Sequence, residues 1–210
     1  MINKKQMIIM LAICLLPLIA GVILYPQIPD EIAIHWGVNG EPNGWSSKFI
    51  AIIVFPLTLT VLTLFMPKLL EMDPSNKNMN EKLKNSIMWI LPIITFLCSS
   101  LTLLSALGKE VKIEIIIPMT IGLMLAIMGN YLPKAKQSYT VGIKLPWTLN
   151  DEENWNKTHR LGGFLFVLGG IAIAISSIFE CRLVVMLISI FVMVFVPIIY
   201  SYLLYKNKQK

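Results

Sequence analysis

Residues 129–163 read GNYLPKAKQSYTVGIKLPWTLNDEENWNKTHRLGG, the most polar long segment of an otherwise apolar chain. Gly142 and Pro146 punctuate Tyr139–Trp147, so this half cannot be a regular helix. From Asn150 to Leu161 the pattern becomes helical. Asn150 is placed to cap the first turn, with Glu153 three residues on in the capping-box position. Asp151, Glu152 and Glu153 lie where a helix N-terminus favours negative charge, and Glu153 precedes Lys157 by four residues. At about 100° per residue, Trp155, His159, Gly162 and Phe166 share one face. One stripe therefore links an aqueous loop to the apolar run that follows.

Apolar runs also lie on every other side of this segment. Of 210 residues, 56% are hydrophobic and 14% charged, and the mean hydropathy is +0.70. A soluble domain carries about 25% charged residues. Six spans are predicted, at 7–25, 49–66, 87–107, 114–132, 163–179 and 183–205, each long enough for a hydrocarbon core of about 30 Å. The first follows Lys4 and Lys5 as a signal peptide would, but no A-x-A-like cleavage site follows it, so it reads as a retained helix. The predicted fold class is all-α: a polytopic membrane protein with six transmembrane helices, a short extracellular cap loop and a cytoplasmic amphipathic helix. Three regions follow: a two-helix unit at 1–66 with its outer loop at 26–48, a linker with the third span at 67–113, and spans four to six with the polar segment at 114–210.

Charge sets the expected orientation. The N-terminus, residues 67–86, residues 133–162 and the C-terminus hold fourteen of the 18 lysines and arginines; Lys48, Lys109, Lys112 and Arg182 are the rest. The positive-inside rule then places both termini and the 133–162 segment in the cytoplasm and loop 26–48 outside. The net charge of +6 is thus read as topology, with no direct nucleic-acid binding. In the outer loop Ile32, Ile34 and Trp36 alternate with Glu31, Ala33 and His35, predicting a short strand. Gly37, Asn39-Gly40, Pro42 and Asn43-Gly44 then read as turns, and Trp45 as an interfacial residue.

These residues carry a family resemblance. Tyr139, Gly142-Ile143, Pro146-Trp147-Thr148-Leu149, Glu153, Trp155, Thr158-His159-Arg160 and Gly162-Gly163 resemble the signature of the SdpI family, bacterial membrane proteins named for an immunity protein against a secreted peptide toxin. Ile28-Pro29, Ile32, Ile34-His35-Trp36, Gly40 and Pro42 are similar to the small domain that often precedes it. The resemblance implies a multi-pass protein of the bacterial plasma membrane that gives immunity to a secreted antimicrobial peptide. It also implies a receptor role in which toxin engagement outside leads the protein to hold a transcriptional repressor at the membrane.

The residues themselves exclude much chemistry. His35 and His159 lie on opposite sides of the expected bilayer, and no spacing matches a metal-ligand set, so no metal or other cofactor is expected. Cys14, Cys98 and Cys181 make no disulfide framework. No G-x-S-x-G, S-x-x-K or H-E-x-x-H occurs, and the span interiors hold no charged residue, so neither an enzyme nor a proton-coupled pump is expected. What remains is recognition by loops. Outside, His35, Trp36, Gly40, Pro42 and Trp45, beside Asp30, Glu31 and Glu41, are the peptide-binding candidates. Inside, Tyr139, Gly142, Pro146, Trp147, Thr148, Trp155, His159 and Arg160 either dock a partner or lock the loop to the helix ends, with Arg160 on a lipid phosphate. The alternative function is a small transporter, or a membrane-integrity factor without a peptide ligand. Gly163, Gly170, Ala174 and Ser177 form a small-residue face suited to close helix packing.

Overall fold

The computed structural model describes residues 3–74 and 79–209. The centre of the 67–86 segment, with Lys77, and the terminal Lys210 lie outside the described residues. The architecture is that of an all-α polytopic membrane protein. Among the described residues six helices are long and apolar enough to cross a membrane: Lys4–Gln27, Ile50–Glu71, Glu81–Ala106, Ile113–Lys134, Glu152–Ser176 and Arg182–Lys208. In chain order the elements are α1 (Lys4–Leu24), a two-stranded sheet of β1 (Glu31–Trp36) and β2 (Pro42–Ser47), α2 (Phe55–Glu71), α3 (Glu81–Ala106), α4 (Ile113–Tyr131), α5 (Pro146–Leu149), α6 (Glu152–Ser176) and α7 (Arg182–Lys208). Short 3-10 turns extend α1 and α4, and a π-helical turn (Ile50–Val54) leads into α2.

Several boundaries move from their sequence-based positions, each for a local reason. α2 runs past 66 and through Pro67 to Glu71; a membrane helix tolerates the lost backbone bond. Residues 81–86, ahead of the expected third span, are the first turns of α3 itself. Asn80 Oδ1 accepts from the amides of Lys82 at 3.0 Å and Leu83 at 3.4 Å, so it starts one unbroken helix. Asp151 caps α6, not Asn150: its Oδ1 accepts from Glu153 N at 3.0 Å and Asn154 N at 3.2 Å. Asn150 is already used, because its amide donates to Pro146 O at 2.8 Å and closes the short α5.

The chain divides into two compact units, residues 1–68 with 88–114, and residues 69–87 with 115–210. In the first unit, Ile28 and Ile32 beneath the hairpin pack with Ala51, Ile52 and Leu103. Threonines buried in its helices bond to their own preceding turn: Thr60 to Pro56 O at 2.7 Å, Thr63 to Leu59 O at 2.8 Å and Thr95 to Leu91 O at 2.7 Å. Their hydroxyls therefore need no water. In the second unit, glycines let α4 and α6 touch. A β-carbon on Gly122 would lie 2.5 Å from Gly170 O, and one on Gly163 2.7 Å from Gly129 O. The small-residue face of α6 thus serves contacts within the chain.

Candidate functional site

The hairpin comes first in the chain. β1 and β2 pair antiparallel with Ile32 opposite Ser46, Ala33 opposite Trp45, His35 opposite Gly44 and Trp36 opposite Pro42. The turn residues Pro42 to Gly44 thus form part of a second strand that the sequence did not announce. The register shifts between Ala33 and His35, and again between His35 and Trp36. A bulge breaks the two-residue alternation, so Ile32 is 3% exposed while Ile34, expected on the same face, is 46% exposed. His35 is exposed and its Nδ1 bonds to Asn43 Oδ1. Trp36 is half-buried, Pro42 exposed and Trp45 exposed. Gly40 has φ +82°, and a β-carbon there would meet the Glu114 carboxylate at 2.5 Å. Gly40 is thereby required by the turn.

The acidic rim is weaker than its composition suggests. Lys48 Nζ lies 2.8 Å from Asp30, and this ammonium holds the Asp30 carboxyl below the usual carboxylate range. Lys48 also reaches Ile28 O at 3.3 Å and sits over the Tyr25 ring. Glu31 and Glu41 remain exposed, with Glu41 accepting from Asn39 Nδ2 at 2.6 Å. The apolar part of the surface is Ile34, Val38 and Trp45; the first two were not among the peptide-binding candidates because a bulge and a turn, not periodicity, turn them outward.

The loop before α6 belongs to the second unit, and it folds onto the helix that follows it. Trp155 and His159 are completely buried and stack at 3.9 Å between ring centres. Trp155 Nε1 donates to Ala135 O at 2.7 Å. His159 Nδ1 lies 2.8 Å from Trp155 O, an acceptor, and His159 Nε2 receives the Ile143 N–H at 2.9 Å. These two bonds assign the neutral imidazole with its proton on Nδ1. Both ring nitrogens are engaged, which leaves neither for a metal or a proton relay in this conformation. Gly142, with φ +127°, passes so close that a β-carbon would lie 2.5 Å from His159 Nε2 and 2.6 Å from the Trp155 ring.

Two further anchors hold the same loop. Asp73 is buried, and its Oδ2 accepts from Ser138 Oγ at 2.9 Å, Tyr139 N at 2.9 Å, Thr140 N at 3.0 Å and Thr140 Oγ1 at 3.1 Å. The buried Thr148 hydroxyl accepts from Leu145 N at 2.9 Å and lies 2.9 Å from Ile143 O. Trp147 ties the loop to α7: its Nε1 donates to Ser201 Oγ at 2.7 Å, and its ring contacts Tyr202 and Tyr205. Ser201 Oγ donates to Asn154 Oδ1 at 2.8 Å, and Asn154 Nδ2 returns a bond to Ser201 O at 2.9 Å. Asp73, Asn154 and Ser201 escaped the sequence reading. The bonds by which Asp73 holds the loop and Asn154 meets Ser201 span 47 to 67 residues, beyond any local spacing.

Thus Thr148, Trp155 and His159 face inward, Gly142 is wedged between loop and helix, and Trp147 is half-buried. Tyr139, Pro146 and Arg160 are exposed. Among the described residues no group of three His, Cys, Asp or Glu side chains is placed to hold a metal ion.

Comparison with known proteins matches this layout. The model of the SdpI/YfhL protein family covers residues 134–201, the loop with α6 and most of α7. A domain of unknown function (DUF1648) covers residues 12–60, which include the hairpin. The chain is 31% identical over 208 residues to the Immunity protein SdpI of Bacillus subtilis (strain 168), with 97% of each chain covered. No solved structure matches. Similar over nearly its whole length to an immunity protein, the chain belongs to the SdpI/YfhL protein family.

Proposed function

We propose that the protein makes its cell immune to a secreted antimicrobial peptide, and that it does so from the plasma membrane with both termini in the cytoplasm. The observation that carries this reading is the end-to-end likeness to an immunity protein, which takes in the hairpin as well as the loop–helix lock. The basic residues support the orientation, fourteen against four. In that orientation the hairpin meets the peptide first. Ile34, Val38 and Trp45 offer exposed apolar contact, with Glu31 and Glu41 attracting a cationic peptide. His35, Trp36, Gly40 and Pro42 shape the hairpin that presents them.

The receptor reading extends this. Peptide bound outside shifts the inner loop, and the altered loop holds a transcriptional repressor through its exposed positions Tyr139, Pro146 and Arg160. Such coupling requires the peptide to bind the two conformations with different affinity.

The test is survival of toxin-sensitive cells expressing the protein. Wild type restores growth, and the Ile34→Ser, Trp45→Ser double variant, present in the membrane at the same level, loses it. Unchanged survival with wild type in the membrane defeats the immunity reading. Protection by the double variant removes the hairpin from it. A tagged repressor that stays soluble after toxin addition defeats the receptor extension alone.

A further inference from the structure

Helices α4 and α6 touch through glycine, and the contacts give their direction. Gly122 meets Gly170 and Ala174, whereas Gly129 meets Gly163 and Phe166. Rising numbers on α4 meet falling numbers on α6, so the two run antiparallel. One flank of α6 is closed by α7: Gly169 faces Met193, and Gly162 faces Pro197. The other flank is open. It carries Phe164, Leu168 and Ile171, which are 59%, 50% and 43% exposed. Arg160 stands one turn before Phe164, at the head of this stripe, and is exposed.

α4 supplies the second wall. At about 100° per residue, Leu123 and Asn130 lie roughly a quarter-turn from the line of contact through Gly122 and Gly129. Phe164 and Ile171 are rotated in the same sense from the line through Gly163 and Gly170. For antiparallel helices, equal rotation in one sense brings both sets to the same flank. Leu123 and Ile127 are exposed there, as is Asn130. Gly129 meets Gly163, Phe166 and Val167, so Asn130 lies a helical turn or more deeper than Arg160. Among the described residues neither the Arg160 nor the Asn130 side chain has a hydrogen bond or ion pair. The neighbouring Lys157, by contrast, lies 2.7 Å from Glu153.

We propose that this flank binds an anionic phospholipid, with Arg160 and Asn130 holding the headgroup phosphate and an acyl chain lying along Leu123, Phe164 and Ile171. A guanidinium presents paired donors that match phosphate oxygens, and the carboxamide adds one more. The unpaired positive charge favours a headgroup without a compensating cation of its own. The polar pair is continuous with exposed apolar side chains on two membrane spans. A lipid satisfies both parts; an acidic protein segment satisfies only the first.

Native mass spectrometry of the full chain, released from detergent with phosphatidylglycerol or phosphatidylcholine, tests this. Wild type retains phosphatidylglycerol about tenfold better, the effect of one charge-assisted contact. Arg160→Gln and Asn130→Leu each reduce that preference, Arg160→Lys keeps part of it, and Lys157→Gln keeps all of it. Circular dichroism identifies any variant that fails to fold, and the remaining variants then decide. Equal retention of the two lipids by wild type overturns the proposal, as does full preference in a folded Arg160→Gln. Displacement of the lipid by millimolar inorganic phosphate shows a site for a free anion and overturns it too. Retention of a soluble acidic peptide in place of either lipid assigns the flank to a protein partner instead.

Discussion

Gly142 shows how much one missing β-carbon can decide. Its φ of +127° is one that other residues adopt only under strain, and the space a side chain needs is filled by His159 and Trp155. Gly142→Ala therefore carries backbone strain and overpacking together, about 2–5 kcal/mol in all. Thermal unfolding in detergent should show the loss, accompanied by exposure of the Trp155 indole to quencher. Asp73 is the polar counterpart. Asp73→Asn can still offer a carbonyl oxygen in the Oδ2 position, but it replaces four charge-assisted bonds with weaker neutral ones. The expected cost is about 1–3 kcal/mol, and amide exchange at Tyr139 and Thr140 should rise before global unfolding. The residue types at 142, 155 and 159 were legible as special, because glycine, tryptophan and histidine stand out in a polar loop. Their mutual contact was not, and neither was Asp73, which local spacing cannot link to Thr140.

At the scale of elements, hydropathy located all six spans, since burying a backbone in lipid demands long apolar helices. What it located poorly were ends and strands. The second span was drawn to end at 66, yet α2 continues through Pro67, because one lost backbone bond is survivable. β2 was hidden because Pro42, Asn43 and Gly44 carry turn chemistry, and because two bulges erase the alternation that marks a strand. The α4–α6 contact was half visible: the small residues of α6 were apparent, but their partners Gly122 and Gly129 were not picked out. Gly122→Val places a branched side chain against the Gly170 carbonyl and the Ala174 backbone. It should lower stability by about 1–3 kcal/mol or more. The start of α6 adds a pH dependence. Lys208 beside Asp151, together with the capped amides, holds the Asp151 carboxyl below its ordinary value. A depressed folded-state value means the cap contributes fully above the unfolded pKa of about 4 and is lost as pH falls through the lower folded value. Hydrogen exchange at Glu153 and Asn154 should accelerate below pH 4, and Lys208→Gln should move the onset to higher pH.

The whole molecule combines two compact units, one with the hairpin and one with the loop–helix lock. Six spans follow from length and composition, and the family follows from likeness over nearly the entire chain. The functional reading needs one thing more: the hairpin and the loop must open to opposite compartments. The proposed orientation rests on charge counting, because lysine and arginine resist translocation. The direct measurement is labelling of intact cells with a membrane-impermeant maleimide, using protein whose exposed Cys181 is replaced by serine. Single cysteines are placed at Asn39 in the hairpin turn and at Tyr139, whose side chain is 72% exposed. In the proposed orientation Asn39→Cys is modified from outside, and Tyr139→Cys is modified only after lysis. Modification of Tyr139→Cys on intact cells, with Asn39→Cys protected until lysis, would contradict it.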